Sequence, residues 1–176
     1  VGSGAYRNNG TFVLGTAEGG LKITMYFVNE MQIDPDYLNH YYFKTMHHEF
    51  AHILNQTKPY STDFNAISGP DYVTDTWSDA WGGDADAQQH GFISEYASSE
   101  ANEDFVELMS IYVTNPASYW NNIIKNAGEG AAKISAKFEI VYNYMLNSWN
   151  IDLNELRDEI QARQAQIGTL DLETLN

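Results

Sequence analysis

The chain contains the run His48-Glu49-Phe50-Ala51-His52, two histidines four residues apart with a glutamate directly after the first. On an α-helix, positions four apart lie one above the other on one face, so both imidazoles can reach a single tetrahedral ion. Glu49 then sits roughly 100° around the helix from His48, placed to touch a metal-bound water rather than the metal. Zinc in such a site lowers the pKa of its water toward about 7, and the carboxylate can take the proton. A chain of this composition is expected to hold the pattern by chance roughly 0.01 times. The bland alternative is an amphipathic helix with surface histidines and an acid between them. Phe50, Ile53 and Leu54 around the motif argue for burial instead. His47 falls on another face and reads as a partly buried packing residue.

Catalytic zinc takes three protein ligands and keeps one position open. His40 and His90 are the other histidines, and no third histidine follows His52 at a ligand-like spacing. Carboxylates of the segment Ser99-Glu100-Ala101-Asn102-Glu103-Asp104-Phe105-Val106-Glu107 are better placed. Glu103 is the favoured third ligand, with Asp104 and Glu100 as alternatives, since acids in a first helical turn also complement the helix dipole. Glu107 lies a turn deeper, between Val106 and Leu108, where a carboxylate needs a partner; the N–H of a ligating histidine is one. A donor aimed at a developing oxyanion is also required. Tyr96, seven residues before Glu103, and His90 are the candidates, each with plain packing as the alternative. Asp84 and Asp86 point only faintly to calcium, because no EF-hand glycine or terminal glutamate follows them.

These side chains must be held by ordered elements. Asp34-Pro35 opens the motif helix, with Asp34 as N-cap and Pro35 at the first position, and apolar residues recur at helical spacing to about Asn55. A second helix is expected from Ser98-Ser99 to about Val113, and further helices over 117–126, 131–148 and 153–166. The last is opened by Asp152 and Glu155 as a capping box. Upstream, Thr11 to Leu14 and Leu21 to Val28 read as a hairpin around Glu18-Gly19-Gly20, with Leu21, Ile23, Met25 and Phe27 on an apolar face. Residues 1–10 and the tail from Gly168 read as loop. Residues 56–91 show no period but carry Tyr60, Phe64, Tyr72, Trp77 and Trp81, which favours an ordered, packed connection.

The expected architecture is α+β, one domain over 1–176. A small sheet packs on the motif helix, the second helix lies beside it, and the C-terminal helices close the cleft. The hairpin edge runs above the motif helix, where an extended peptide could add as a strand. The 176 residues carry 9 Lys plus Arg against 24 Asp plus Glu, a net charge of −15, which argues against nucleic acid and anionic lipid as partners. A 43% hydrophobic and 14% aromatic content excludes a disordered chain. No window approaches the roughly 18 apolar residues of a membrane span. Cysteine is absent, which excludes disulfides, thiolate nucleophiles and iron–sulfur clusters.

H-E-x-x-H followed after some tens of residues by N-E-x-x-x-[D/E] resembles the gluzincin metallopeptidases. That resemblance implies a zincin-like fold, His48, His52 and Glu103 as zinc ligands, Glu49 as general base and Glu107 holding His48. Two features depart from the pattern: Glu107 stands where Asp is usual, and only two strands are evident. More narrowly, GTAEGGLKI, HHEFAHIL-Q-TKPY and YASSEANEDFVE resemble a family of substrate import-associated zinc metallohydrolase lipoproteins, encoded beside outer-membrane nutrient importers of Gram-negative bacteria. The likeness covers residues 1 to about 115 and leaves 116–176 as a helical remainder. It implies a peptide or protein substrate and importer components as partners. It further implies an extracytoplasmic, lipid-anchored location, with the modified cysteine upstream of Val1. The alternative is a non-catalytic zinc-containing binding or scaffold protein of a nutrient-import system, with its working surface in the aromatic segment 60–81. The retained Glu49 speaks against it, since a structural metal site needs no base.

Overall fold

The computed structural model describes residues 11–169. The loop expected over 1–10 and the tail beyond Thr169 lie outside those residues, while Ile167–Thr169 makes a 3-10 turn. The architecture is α+β: one two-stranded antiparallel sheet and a majority of helix.

The strands are β1 (Gly15–Glu18) and β2 (Lys22–Met25), with Gly15 opposite Met25 and Glu18 opposite Lys22. The first strand is therefore four residues later than the β-rich run at 11–14 suggests. The turn decides this. Gly19 and Gly20 both adopt positive φ, 60° and 69°, which only glycine does without strain, and pairing starts on either side of them. Leu21, expected on the apolar face, sits in the turn and is 92% exposed.

Next come α1 (Pro35–Leu38), a π turn at Asn39–Phe43 and α2 (Lys44–Thr57), one helical run. Asp34 caps it by accepting from the Tyr37 amide at 2.9 Å. Residues 58–100 carry α3 (Asp63–Ser68), α4 (Trp77–Ala80), α5 (Asp84–Gln89) and 3-10 turns at Gly69–Asp71 and Tyr96–Ser98. Helices of four to six residues are too short to show a period in sequence. The aromatic residues pack as expected: Tyr60 stacks on Phe105 at 4.2 Å, and Phe64 is fully buried.

The core is built around α6 (Ala101–Thr114), which is buried continuously from Asp104 to Thr114. Helix α2 packs along one side of it. Helices α7 (Ala117–Asn126), α8 (Ala131–Trp149) and α9 (Leu153–Gln164) follow close to their expected bounds. Asp152 caps α9 through the Asn154 and Glu155 amides, at 2.7 and 3.3 Å.

These last helices do not close a cleft. They brace the far side of α6 and the end of α2. Tyr144 donates its hydroxyl to the Lys58 carbonyl at 2.6 Å, and Lys58 reaches the Ser148 carbonyl at 2.6 Å. Inside the core, Lys137 of α8 meets Asp104 of α6 at 2.5 Å, and Tyr72 donates to the same carboxylate oxygen at 2.9 Å. Burial pushes the Asp104 carboxyl up to about 6 against the pull of the Lys137 ammonium. Removing one member of such a pair strands the other without solvent. Lys137→Met should therefore destabilise the fold by about 3–5 kcal/mol, and Lys137→Met with Asp104→Leu should recover most of it. Denaturant melts of the two variants check this; a neutral single mutant would refute it.

Candidate metal centre

Helix α2 presents His48 and His52 on the face turned to α6, their rings 4.9 Å apart. From α6, Glu103 enters between them. Its Oε2 lies 3.0 Å from His48 Nε2 and 3.4 Å from His52 Nε2. One atom from each of the three residues falls within 4.8 Å of the others, the one such group among the described residues. Zinc–donor bonds of about 2.0–2.1 Å in a tetrahedron place donors about 3.3 Å apart. The two measured distances bracket that value, so the donors present fit a zinc ion.

Behind His48 stands Glu107, 1% exposed. His48 Nδ1 lies 3.0 Å from Glu107 Oε1. A carboxylate only accepts, so in the metal-free chain both ring nitrogens donate, Nδ1 to Glu107 and Nε2 to Glu103; in the neutral ring that a metal requires, Glu107 keeps the proton on Nδ1 and frees the Nε2 lone pair. The other oxygen, Oε2, accepts from Ser94 Oγ at 2.7 Å and pairs with Lys44 Nζ at 2.9 Å. Lys44 and Ser94 are neighbours of the candidate site that reading the sequence missed. Lys44 had a signal, since it precedes His48 by one helical turn; Ser94 had none.

Burial opposes charge on His48, but Glu103 and Glu107 outweigh it and lift its pKa to about 9. Burial likewise opposes the Glu103 carboxylate, yet the two imidazoles pull it down to about 2. Burial opposes Glu107 too, and Lys44 and His48 reverse that, holding it far below the usual range. Glu49 is raised by burial, against His48 and His52.

Glu49 is buried and faces both cavities that meet at the histidines. Gly15 of β1 lies against it: a Cβ at that position would come within 2.7 Å of Glu49 Cγ. Only glycine lets the strand approach this closely. One cavity, about 240 Å³, is walled by Val13, Leu14, Tyr41, Lys44 and Trp77. The other, about 640 Å³, is a polar groove past Thr16, Asn55, Tyr60, Asn65, Glu100 and Asn102. His48, Glu49 and Tyr96 are common to both, and no described residue beyond Glu107 lines either. Tyr96 stacks over the His48 ring at 5.9 Å and is backed by Trp77 at 4.9 Å.

The remaining candidates fall elsewhere. His90 packs on Trp81 at 4.7 Å, outside both cavities. Asp104 turns to Lys137. Glu100 stays on the groove rim, exposed. Asp84 and Asp86 cap the backbone amides of Glu95 and Gly82, at 2.8 and 3.0 Å. His47 is a packing residue whose Nδ1 donates to the Phe43 carbonyl at 2.7 Å.

Two histidines of one helix and a glutamate of its neighbour thus form the one metal-competent group among the described residues, which places this α+β chain with the candidate metal-binding proteins in class. The comparisons narrow this: the chain belongs to the family described as "putative zinc-binding metallo-peptidase", whose model matches residues 1–154. It is similar to the crystal structure of a protein of that description from Bacteroides caccae, at 41% identity and a TM-score of 0.80. The match covers 93% of this chain and 62% of that one, so this chain spans under two thirds of its solved relative. No curated protein matches.

The raised pKa of His48 sets a pH dependence. A metal needs the neutral imidazole, so below pH about 9 binding must expel the His48 proton. Calorimetry near pH 7 in buffers of different ionisation enthalpy should read about one proton released per zinc; none released would contradict the protonated His48. In the metal-free chain, the pKa raised from 6.5 stabilises the fold fully below that pH and is lost as pH climbs through about 9. Its thermal midpoint should fall over that window.

Proposed function

We propose that this chain is the catalytic part of a zinc-dependent hydrolase that cuts peptide bonds with an activated water, Glu49 being the general base. The observation that carries this reading is the convergence of His48 Nε2, His52 Nε2 and Glu103 Oε2 at the junction of two open cavities, with Glu49 beside them. Bound there, zinc would supply a Lewis acid able to generate a nucleophilic water near neutral pH.

The protein's own groups do the rest. His48, His52 and Glu103 hold the ion, and Glu107 fixes the tautomer of His48. Glu49, which burial makes a stronger base than a free carboxylate, takes a proton from water and passes it to the departing amine. Tyr96, against His48, is the candidate donor to the developing oxyanion. The substrate lies extended along the edge of β1 that no described strand pairs, and β1 lines both cavities through Gly15. One of its side chains enters the pocket walled by Val13, Leu14, Tyr41 and Trp77. The groove side, with Glu100 and no lysine or arginine among its described lining residues, favours neutral or basic residues. A silent zinc-containing scaffold would not need Glu49 between two open cavities.

Glu49→Gln should keep its zinc and lose about 10²–10⁴-fold in turnover of any peptide that a broad fluorogenic library identifies, while Glu103→Ala should lose the metal. Full activity of Glu49→Gln would overturn the base assignment.

The resemblance to import-associated lipoproteins supports an extracytoplasmic, lipid-anchored location and partnership with outer-membrane importer components. No helix among the described residues is long and apolar enough to cross a membrane. Metabolic labelling of the full-length protein with a lipid analogue should mark it, and an unmodified cytoplasmic product would refute this.

A further inference from the structure

We propose that Lys44 is a positioning residue of the metal centre, its ammonium bracing Glu107 so that Glu107 holds the His48 imidazole with Nε2 aimed at the ion. This rests on the zinc site proposed above.

Glu107 has two oxygens with different tasks. Oε1 takes the His48 N–H at 3.0 Å; Oε2 takes Ser94 Oγ at 2.7 Å and Lys44 Nζ at 2.9 Å. A carboxylate can pivot about its last bond, and a single contact to an imidazole does not stop it. Two further contacts, from α2 and from the segment before α6, fix the plane. Charge matters as well. Glu107 is buried, and a buried carboxylate needs a cation beside it, which Lys44 supplies at 2.9 Å. Lys44 lies one turn before His48 on the same helix, so the brace and the ring it serves are fixed to one rigid body. The side chain of Lys44 is 28% exposed, toward the 240 Å³ cavity, which leaves room for a longer cation in its place.

The effect must pass through Glu107, and a double-mutant cycle isolates it. Zinc affinity is read by competitive chelator titration on wild type, Lys44→Gln, Lys44→Arg, Glu107→Gln and Lys44→Gln with Glu107→Gln. Lys44→Gln keeps a donor but no charge and should weaken zinc about 10-fold, the low end for partners of ligating histidines. Lys44→Arg should stay within about 3-fold of wild type, against that range. In the Glu107→Gln background, Lys44→Gln should add nothing. The visible spectrum of the cobalt-loaded chain should shift in Lys44→Gln and return in Lys44→Arg, a change that a loss of packing alone would not produce. Additive losses in the double mutant, or Lys44→Arg as weak as Lys44→Gln, would overturn the proposal. Wild type that binds no zinc would instead overturn the metal reading beneath it.

Discussion

The contact between Glu107 and His48 joins the two helices on which the site depends. A carboxylate buried between Val106 and Leu108 has few permissible environments. It needs donors, and the fold supplies them from three directions: His48 and Lys44 from α2, and Ser94 from the segment that leads into α6. Satisfying them fixes the facing of α2 against α6. Once that facing is set, Glu103, one turn earlier on α6, can only enter between His48 and His52. The metal-competent group is thus a consequence of how a buried acid is neutralised, and the helices need no separate device to bring it together.

Helix α6 carries three acids within five residues, and they meet three different fates. Glu103 faces two imidazoles, Asp104 faces Lys137 and Tyr72, and Glu107 faces Lys44, His48 and Ser94. The chain has 9 Lys plus Arg against 24 Asp plus Glu, and two of those few cations serve inner acids of this one helix. Asp104 and Lys137 tie α6 to α8 on the side away from the cleft. That division explains the role of the C-terminal helices: they stiffen the back of the helix that offers Glu103 while leaving its front open.

How far the sequence revealed this follows from the range of each interaction. The His48–His52 pair and the Asp152 cap are local, set by positions three or four apart, and were legible. Glu107 was legible because an acid in an apolar run demands a partner. The preference for Glu103 over Asp104 came from the gluzincin pattern rather than from spacing, since adjacent helical positions differ by about 100° of rotation; the placement of Lys137, 33 residues on, is what turns Asp104 into the core. Lys44 went unseen because its partner is an acid on another helix. The β-rich run at 11–14 misled because the positive φ of Gly19 and Gly20, not strand propensity, decides where pairing begins. The fragments of 58–100 are held by aromatic packing too distant in sequence to leave a period.

Glu49 connects the metal-competent group to the two cavities beside it. Two constraints meet on it: the motif fixes its angle from His48, and Gly15 fixes what can stand over it. With no side chain at position 15, the β1 backbone rests against the Glu49 side chain and walls off solvent from one side. That burial raises the Glu49 pKa while the neighbouring imidazoles restrain it. A larger residue at 15 would lift the strand, rehydrate the carboxylate and move the edge along which an extended chain would lie. Strand position and the protonation of Glu49 are therefore not independent in this fold. They are coupled through a single close approach, and that approach is available only to glycine.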